Sequence, residues 1–400
     1  MLRIRQLNPQ VNAIVTLAEE SARQRAAALD EEAAHGRFAG PLHGLPVVHK
    51  DLFETKGIRT TYGSPIFRDF VPDFSAPIVE HYDALGAVTL GKTNTPEFGA
   101  GSQTFNPVFG ATRNPFDLSK TCGGSSGGAA VALACGMAPI ATGSDTGGSL
   151  RNPASFCSVV GFRPSSPLEL NVQGPMARTV EDIALMLGVT ESLEQDCRGL
   201  RIGWCSSFAG LPFDRRVTAV FESSRKGFDA IGCVTEEFDP DFSGVDESFK
   251  VLRALLFFQN HGAKLHEHRS MIKETVVGEI ERGARLKRKQ IVQAEAQREA
   301  LLARVEEWMS RYDFLVLPTT QVPPFDVEQE YVEEIEGVAM ESYIDWMRSC
   351  YYISMTGLPA ISVPAGFTPE GLPVGIQIVG RAGQDFSVLR IARAFRACAS

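Results

Sequence analysis

Short apolar runs of four to eight residues alternate with amphipathic stretches along most of this 400-residue chain, and that alternation limits the fold more than any other feature. A short apolar run bounded by turn residues reads as a buried strand, and a longer stretch with apolar residues at i, i+3 and i+4 reads as a helix. Residues 45–49 form such a run, leading into a loop at Lys50 and Asp51. The spacing predicts a helix over 76–85 stopped by Gly86, a strand over 87–90 ended by 91–94, an alanine-rich helix over 126–136 and a strand over 139–142. Helices at 178–188 and 214–230 then alternate with strands at 199–204 and 232–236, and strands at 313–318, 358–364 and 372–379 precede a helix from about 384. The N-terminal stretch 10–34, rich in Ala and Glu, reads as one helix. Repeated strand–helix alternation predicts an α/β fold with a single large mixed sheet covered by helices on both faces. No repeat divides the chain, so one domain over 1–400 is expected. The charged helical stretch within 245–345 is expected beside the core, as a wall of a substrate pocket.

Composition narrows the function. The chain carries 39 basic and 48 acidic residues, a net charge of −9, and has no basic block. Phosphate contact comes mostly from Lys and Arg, so nucleic acid and anionic membrane are poor partners and a small molecule is the expected one. A homodimer is compatible with this composition. The 44% apolar content excludes disordered and fibrous classes. None of the eight cysteines forms a C-x-x-C pair, which argues against zinc ribbons and thioredoxin-type sites and for reduced, packing thiols. The first six residues lack the apolar core of a signal peptide, and the apolar stretch 127–143 is too short and too broken by Gly and Pro to span a bilayer, so a cytoplasmic protein is expected.

The chemistry concentrates where glycine does. Eight of the 30 residues from 121 to 150 are glycine, a density that costs conformational entropy and calls for tight turns or close backbone approach. Two serines, Ser125 and Ser149, lie 24 residues apart, each flanked by glycine, with a helix and a strand between them to fold them together. Successive backbone N–H groups of the turn at 146–149 can converge on an anion, and become an oxyanion hole if Ser149 attacks a carbonyl. Such a serine needs a base. None of the seven histidines follows the glycine cluster within the core, so a Ser-His-Asp triad has no positional support. Lys50, at the end of an apolar run, is the better candidate: desolvation favours the neutral amine and lowers its pKa by up to about 3–5 units when burial is complete.

The motifs around these residues occur in a specific order: 45–51 (LPVVHKD), 91–98 (GKTNTPEF), 106–110 (NPVFG), 112–115 (TRNP), 123–128 (GGSSGG), 143–151 (GSDTGGSLR), 153–157 (PASFC) and 160–164 (VGFRP). Two later stretches, 356–364 (TGLPAISVP) and 371–380 (GLPVGIQIVG), continue the series. The whole resembles the amidase signature family, most densely over 41–180. The resemblance implies a fold with one mixed sheet and a Ser-cisSer-Lys triad: Ser149 as nucleophile, Ser125 as the bridging serine after a cis peptide bond, and Lys50 as neutral base. It further implies an oxyanion hole from the N–H groups of Thr146, Gly147, Gly148 and Ser149, structural support from Asp145 and Arg151, and a backbone contact of Gly99 with substrate. No metal or organic cofactor is implied. The reaction is hydrolysis of a C–N bond in an amide, with aryl amides and carbamates also within reach. The alternative within the family is the A-type component of a glutamine-dependent tRNA amidotransferase, which releases ammonia from glutamine. The stretches 165–172 and 187–199 are shorter than the family's pattern, which marks them as places for a mobile loop outside the numbered residues.

Other matches carry less. Residues 86–93 fit the P-loop expression, but the loop positions are themselves strand-like and a helix precedes them. Residues 123–127 fit the G-x-S-x-G elbow, which would require a late histidine, and none follows His268. Ser223 and Lys226 fit S-x-x-K on a polar helix face. His261, His266 and His268 read as an exposed helical surface. Tyr343, Trp346, Tyr351 and Tyr352 read as core packing first and pocket lining second.

Overall fold

Val47 and Val48 are neighbours in sequence, both fully buried, and pack into different cores on opposite faces of one sheet. The alternation repeats at Ile140 and Ala141, at Ala177 and Met176, and at Val316 and Leu317, so side chains two residues apart share a face. Strands buried on both faces need helices on both sides, which is what the computed structural model shows for residues 1–398, the residues it describes.

In chain order the elements are α1 (Leu2–Val11), β1 (Ile14–Leu17), α2 (Glu19–Ala34), β2 (Pro46–Lys50), α3 (Pro77–Ala84), β3 (Val88–Thr93), the hairpin β4 (Phe105–Asn106) and β5 (Gly110–Ala111), α4 (Gly127–Ala134), β6 (Ile140–Asp145), α5 (Arg151–Phe156), β7 (Val160–Arg163), β8 (Val172–Ala177), α6 (Val180–Met186), β9 (Arg201–Trp204), α7 (Arg215–Ala230) and β10 (Val234–Glu237). The remainder comprises α8 (Val245–His268), α9 (Glu274–Ala284), α10 (Arg288–Arg311), β11 (Phe314–Pro318), the hairpin β12 (Glu334–Ile335) and β13 (Val338–Ala339), α11 (Arg348–Thr356), β14 (Ala360–Phe367), β15 (Pro373–Val379) and α12 (Asp385–Cys398). Among the described residues eleven strands form one sheet in the order β1-β3-β2-β6-β8-β7-β14-β15-β11-β9-β10. It is mixed: β2 runs parallel to β3 and β6, and β9 parallel to β10 and β11, while the other pairs are antiparallel. Helices α6, α7 and α12 cover one face. The other face is shared by α1, α2 and α4 over one half and α8, α10 and α11 over the other.

The expected fold class holds, with four local corrections. The stretch 10–34 is not one helix: it holds the end of α1, then β1, whose Ile14 pairs with Thr93 of β3, then α2. Strand β2 includes Lys50, and β3 runs past Leu90 to Thr93. The third correction is β7 and the fourth is β8, both in the middle of the sheet. The short stretches are tied down: Ser165 N donates to Asp385 Oδ1 at 2.8 Å, Ser166 N to the Gly357 carbonyl at 2.9 Å, and Gly199 N to the Gly232 carbonyl at 2.9 Å. Among the described residues no helix is long and apolar enough to cross a membrane.

Candidate active site

Lys50 ends β2 and Asp145 ends β6, its parallel neighbour. The carboxyl ends of parallel strands are where α/β sheets gather ligands. The 146–150 turn leaves β6 there and enters α5, and Ser125 and Ser126 arrive just ahead of α4. Three loops thus share a small volume, which accounts for the glycine density.

Lys50 is fully buried, and its Nζ lies 2.6 Å from Ser125 Oγ and 3.0 Å from both Ser126 Oγ and Ser144 Oγ. Burial pulls its pKa down to about 7, against the opposing charge of Asp145. Near neutral pH a large fraction is therefore free amine, and its lone pair can accept a proton from one of the three hydroxyls. Ser126 and Ser144 are partners that sequence reasoning missed. The signal was available, because a buried lysine nitrogen needs about three hydrogen-bonding partners whether it is charged or neutral, and Ser126 adjoins Ser125.

Ser149 is 8% exposed and faces the same cavity as Ser125. Among the described residues its hydroxyl has no hydrogen-bond partner; the loops are instead joined by Ser126 N donating to the Ser149 carbonyl at 3.2 Å. The Gly124–Ser125 peptide bond is cis. Asn152 of α5 grips Gly124 from both sides, Nδ2 donating to its carbonyl at 2.6 Å and Oδ1 accepting from its N–H at 3.2 Å.

The turn bearing Ser149 is shaped by Asp145. Its Oδ1 accepts from Gly148 N at 2.8 Å and its Oδ2 from Leu150 N at 3.1 Å. Arg151 donates to both oxygens, at 3.0 and 3.1 Å, and Arg163 donates to Oδ1 at 3.1 Å. Burial would push this carboxyl up, but the two guanidiniums outweigh it and hold the pKa well below the carboxylate range. Arg163 is a further partner the sequence did not single out. Arg151 reaches on to the Cys350 carbonyl at 3.0 Å, Gln377 Oε1 at 2.9 Å and Ser354 Oγ at 2.7 Å. Asp145→Asn leaves two buried guanidiniums without a countercharge, so it is expected to destabilise the fold by about 3–5 kcal/mol, read as a lowered urea midpoint.

One expected oxyanion donor is corrected. Gly148 N–H is committed to Asp145 and Gly148 does not line the cavity, whereas Thr146, Gly147 and Ser149 do. The N–H groups of those three have no partner among the described residues. Gly148 instead permits the turn: its φ is +115°, and a Cβ there would stand 2.4 Å from Cys350 Cβ.

The cavity measures about 380 Å³. Gly99 lines it with φ +72°, where a Cβ would come within 3.6 Å of Ser125 Oγ. Phe53, Phe98, Phe249, Phe257, Tyr62 and Tyr343 put aromatic faces among the polar groups that line it. Tyr343 is thus pocket lining, while Trp346 and Tyr351 are wholly buried, stacked on Phe156 and Phe249. His261 is not exposed surface: its ring stacks on Phe98 at 4.6 Å and faces the cavity. Lys92 of the P-loop-like stretch sits in β3, buried 3.8 Å from Asp51, and Ser223 and Lys226 lie outside the cavity on α7. Among the described residues no group of three or more His, Cys, Asp or Glu is placed to hold a metal ion.

The amidase family model matches residues 1–389, and the chain belongs to the amidase signature family. It is 33% identical to an acylamidase of Rhodococcus erythropolis over 435 aligned positions, covering 99% of this chain and 90% of the relative. It is 34% identical to the A-type component of the glutamyl-tRNA(Gln) amidotransferase of Geobacillus stearothermophilus, covering 98% of this chain and 91% of the relative. The crystal structure of a bacterial aryl acylamidase superposes with a TM-score of 0.92 at 28% identity, covering 99% of this chain and 90% of that one. The chain is an amidase-type hydrolase.

Proposed function

We propose that the protein hydrolyses neutral amides carrying an aryl or other apolar group, and carbamates of similar shape, through a covalent intermediate on Ser149. The observation that carries this reading is the fully buried Lys50 amine, 2.6 Å from Ser125 Oγ, with no carboxylate bonded to it, beside a cavity shared by Ser125, Ser149 and three N–H groups unpartnered among the described residues. Neutral Lys50 draws a proton from Ser125, which takes one from Ser149 as Ser149 Oγ bonds to the carbonyl carbon. The N–H groups of Thr146, Gly147 and Ser149 hold the resulting oxyanion. The proton returns through Ser125 to the leaving nitrogen, the C–N bond breaks and the amine departs. Water, deprotonated by the same relay, then releases the acid. A carbamate follows the same course. Gly99 keeps the space beside Ser125 open for substrate, and Asp145 and Arg151 position the turn. The eight free thiols support a reducing, cytoplasmic setting.

The rival reading, release of ammonia from glutamine as one component of a partner-bound amidotransferase, is favoured by the relative from Geobacillus stearothermophilus. Glutamine is zwitterionic and small, and leaves unused the aromatic faces that the cavity offers to an apolar group. A panel of anilides, aryl carbamates, aliphatic primary amides and glutamine, read as relative kcat/KM on the isolated chain, tests the choice. Anilides and aryl carbamates are expected to exceed glutamine by at least about 100-fold. Glutamine as the best substrate would overturn the proposal.

A further inference from the structure

Helix α8 crosses one wall of the cavity, presenting Phe249, Arg253, Leu256, Phe257, Asn260 and His261 at helical spacing. Phe249 fixes the helix against the oxyanion turn: a Cβ on Gly147 would lie 3.0 Å from Phe249 Cζ. Arg253 is one turn further along, roughly 6 Å at 1.5 Å of rise per residue, about the length of an aromatic ring.

Arg253 is 5% exposed although it faces the cavity. Its guanidinium lies 4.6 Å from the Phe257 ring centroid and 5.3 Å from that of Tyr343, and Nη2 donates to the Tyr343 hydroxyl. Nη1 is paired with Glu279 Oε2 at 2.7 Å. A guanidinium carries five N–H donors, more than these two partners use, and at the edge of a substrate cavity the remainder call for an acceptor.

The charges around it decide which acceptor. Glu279 already balances Arg253. The carboxylate on the cavity wall itself is Glu54, whose Oε1 accepts from Tyr62 O–H at 2.6 Å. An anionic substrate group would therefore meet one balanced cation and a second carboxylate, whereas a neutral oxygen would complete the guanidinium without adding charge.

Resting on the reading of the site as an amide hydrolase, we propose that Arg253 is a specificity-determining residue. It hydrogen-bonds a neutral acceptor oxygen (a second carbonyl, a carbamate or a nitro group) carried about one aromatic ring from the scissile bond. Glu279 turns the same position against carboxylates.

Three anilides of one shape test this, bearing at the far ring position a neutral ester, hydrogen or a carboxylate. Intrinsic reactivity cancels when each variant is compared with the wild type on the same substrate. Arg253→Met is expected to lower the ester-over-hydrogen ratio of kcat/KM by about 10-fold or more, chiefly through KM, because the site loses its donor. Glu279→Gln is expected to raise the carboxylate-over-hydrogen ratio by about 10-fold or more. If Arg253→Met does not fold, Arg253→Lys, which keeps the charge but not the planar fork, is expected to lower the ester ratio by a smaller factor. Unchanged ratios in the folded variants would overturn the proposal. Absence of turnover of all three anilides by the wild-type protein would instead overturn the hydrolase reading on which it stands.

Discussion

Ser149→Ala will abolish amide turnover, lowering kcat by about 10⁴-fold or more on an activated anilide, because it removes the hydroxyl on which the proposed covalent intermediate forms. Stability will hardly change. Among the described residues the hydroxyl has no partner to lose, so the variant's stability should lie within about 0.5 kcal/mol of the wild type by urea unfolding. Mass spectrometry of the wild type quenched during turnover of a slowly deacylated substrate should show the acyl or carbamoyl mass on the peptide carrying Ser149, and none in Ser149→Ala. Persistence of that adduct in the alanine variant would remove the nucleophile assignment.

The second large effect concerns Lys50. Only the unprotonated amine can serve as base, and burial sets its pKa near 7 in the folded protein. The sign follows directly: kcat/KM rises with pH, reaching about 10% of its plateau at pH 6, half near pH 7 and about 90% at pH 8. A base of ordinary lysine pKa would still be climbing at pH 9. Lys50→Met will lower kcat/KM by about 10³-fold or more and flatten the profile across this range. A steep rise near pH 7 that survives in Lys50→Met would assign the titration to another group. His49 is the neighbour to consider, but burial and the Lys92 charge hold its pKa at about 3, well below the window.

The fold was legible where local pattern and tertiary role agree. The apolar runs at 313–318 and 372–379 became β11 and β15 almost residue for residue. Strands β1, β7 and β8 were not, for different reasons. Strand β1 has only four residues between two helices, and its pairing with β3 across more than 70 residues of chain leaves no local mark. In β8, Gly174 and Pro175 are residue types that disfavour a central strand; Pro175 stands opposite Thr142 of β6, while the ladder with β7 covers only Met176 and Ala177. Strand β7 is four residues long and includes Arg163, a charge that argues against a buried strand until Asp145 is seen beside it.

The site was legible to the same degree. Gly-flanked serines and an isolated lysine after an apolar run pointed to Lys50, Ser125 and Ser149. In the structure Lys50 lies against Ser125, and Ser125 and Ser149 line one cavity. What the sequence did not disclose depends on direction in space. Gly148 looked like its neighbours in the nest, but its N–H turns back to Asp145. Arg253 looked like one charge among many on a helical stretch, and only packing reveals that its guanidinium faces inward.

Arg151 holds the Ser149 turn on one side and Gln377 of β15 on the other, a span of 226 residues. The Ser149 turn is therefore tethered to a strand made long after it in the order of synthesis. Until β15 docks, Arg151 lacks that anchor and the turn lacks its final support. A nascent or truncated chain ending before β15 should be hydrolytically silent, so that the capacity to acylate doubles as a report that synthesis has run past this strand.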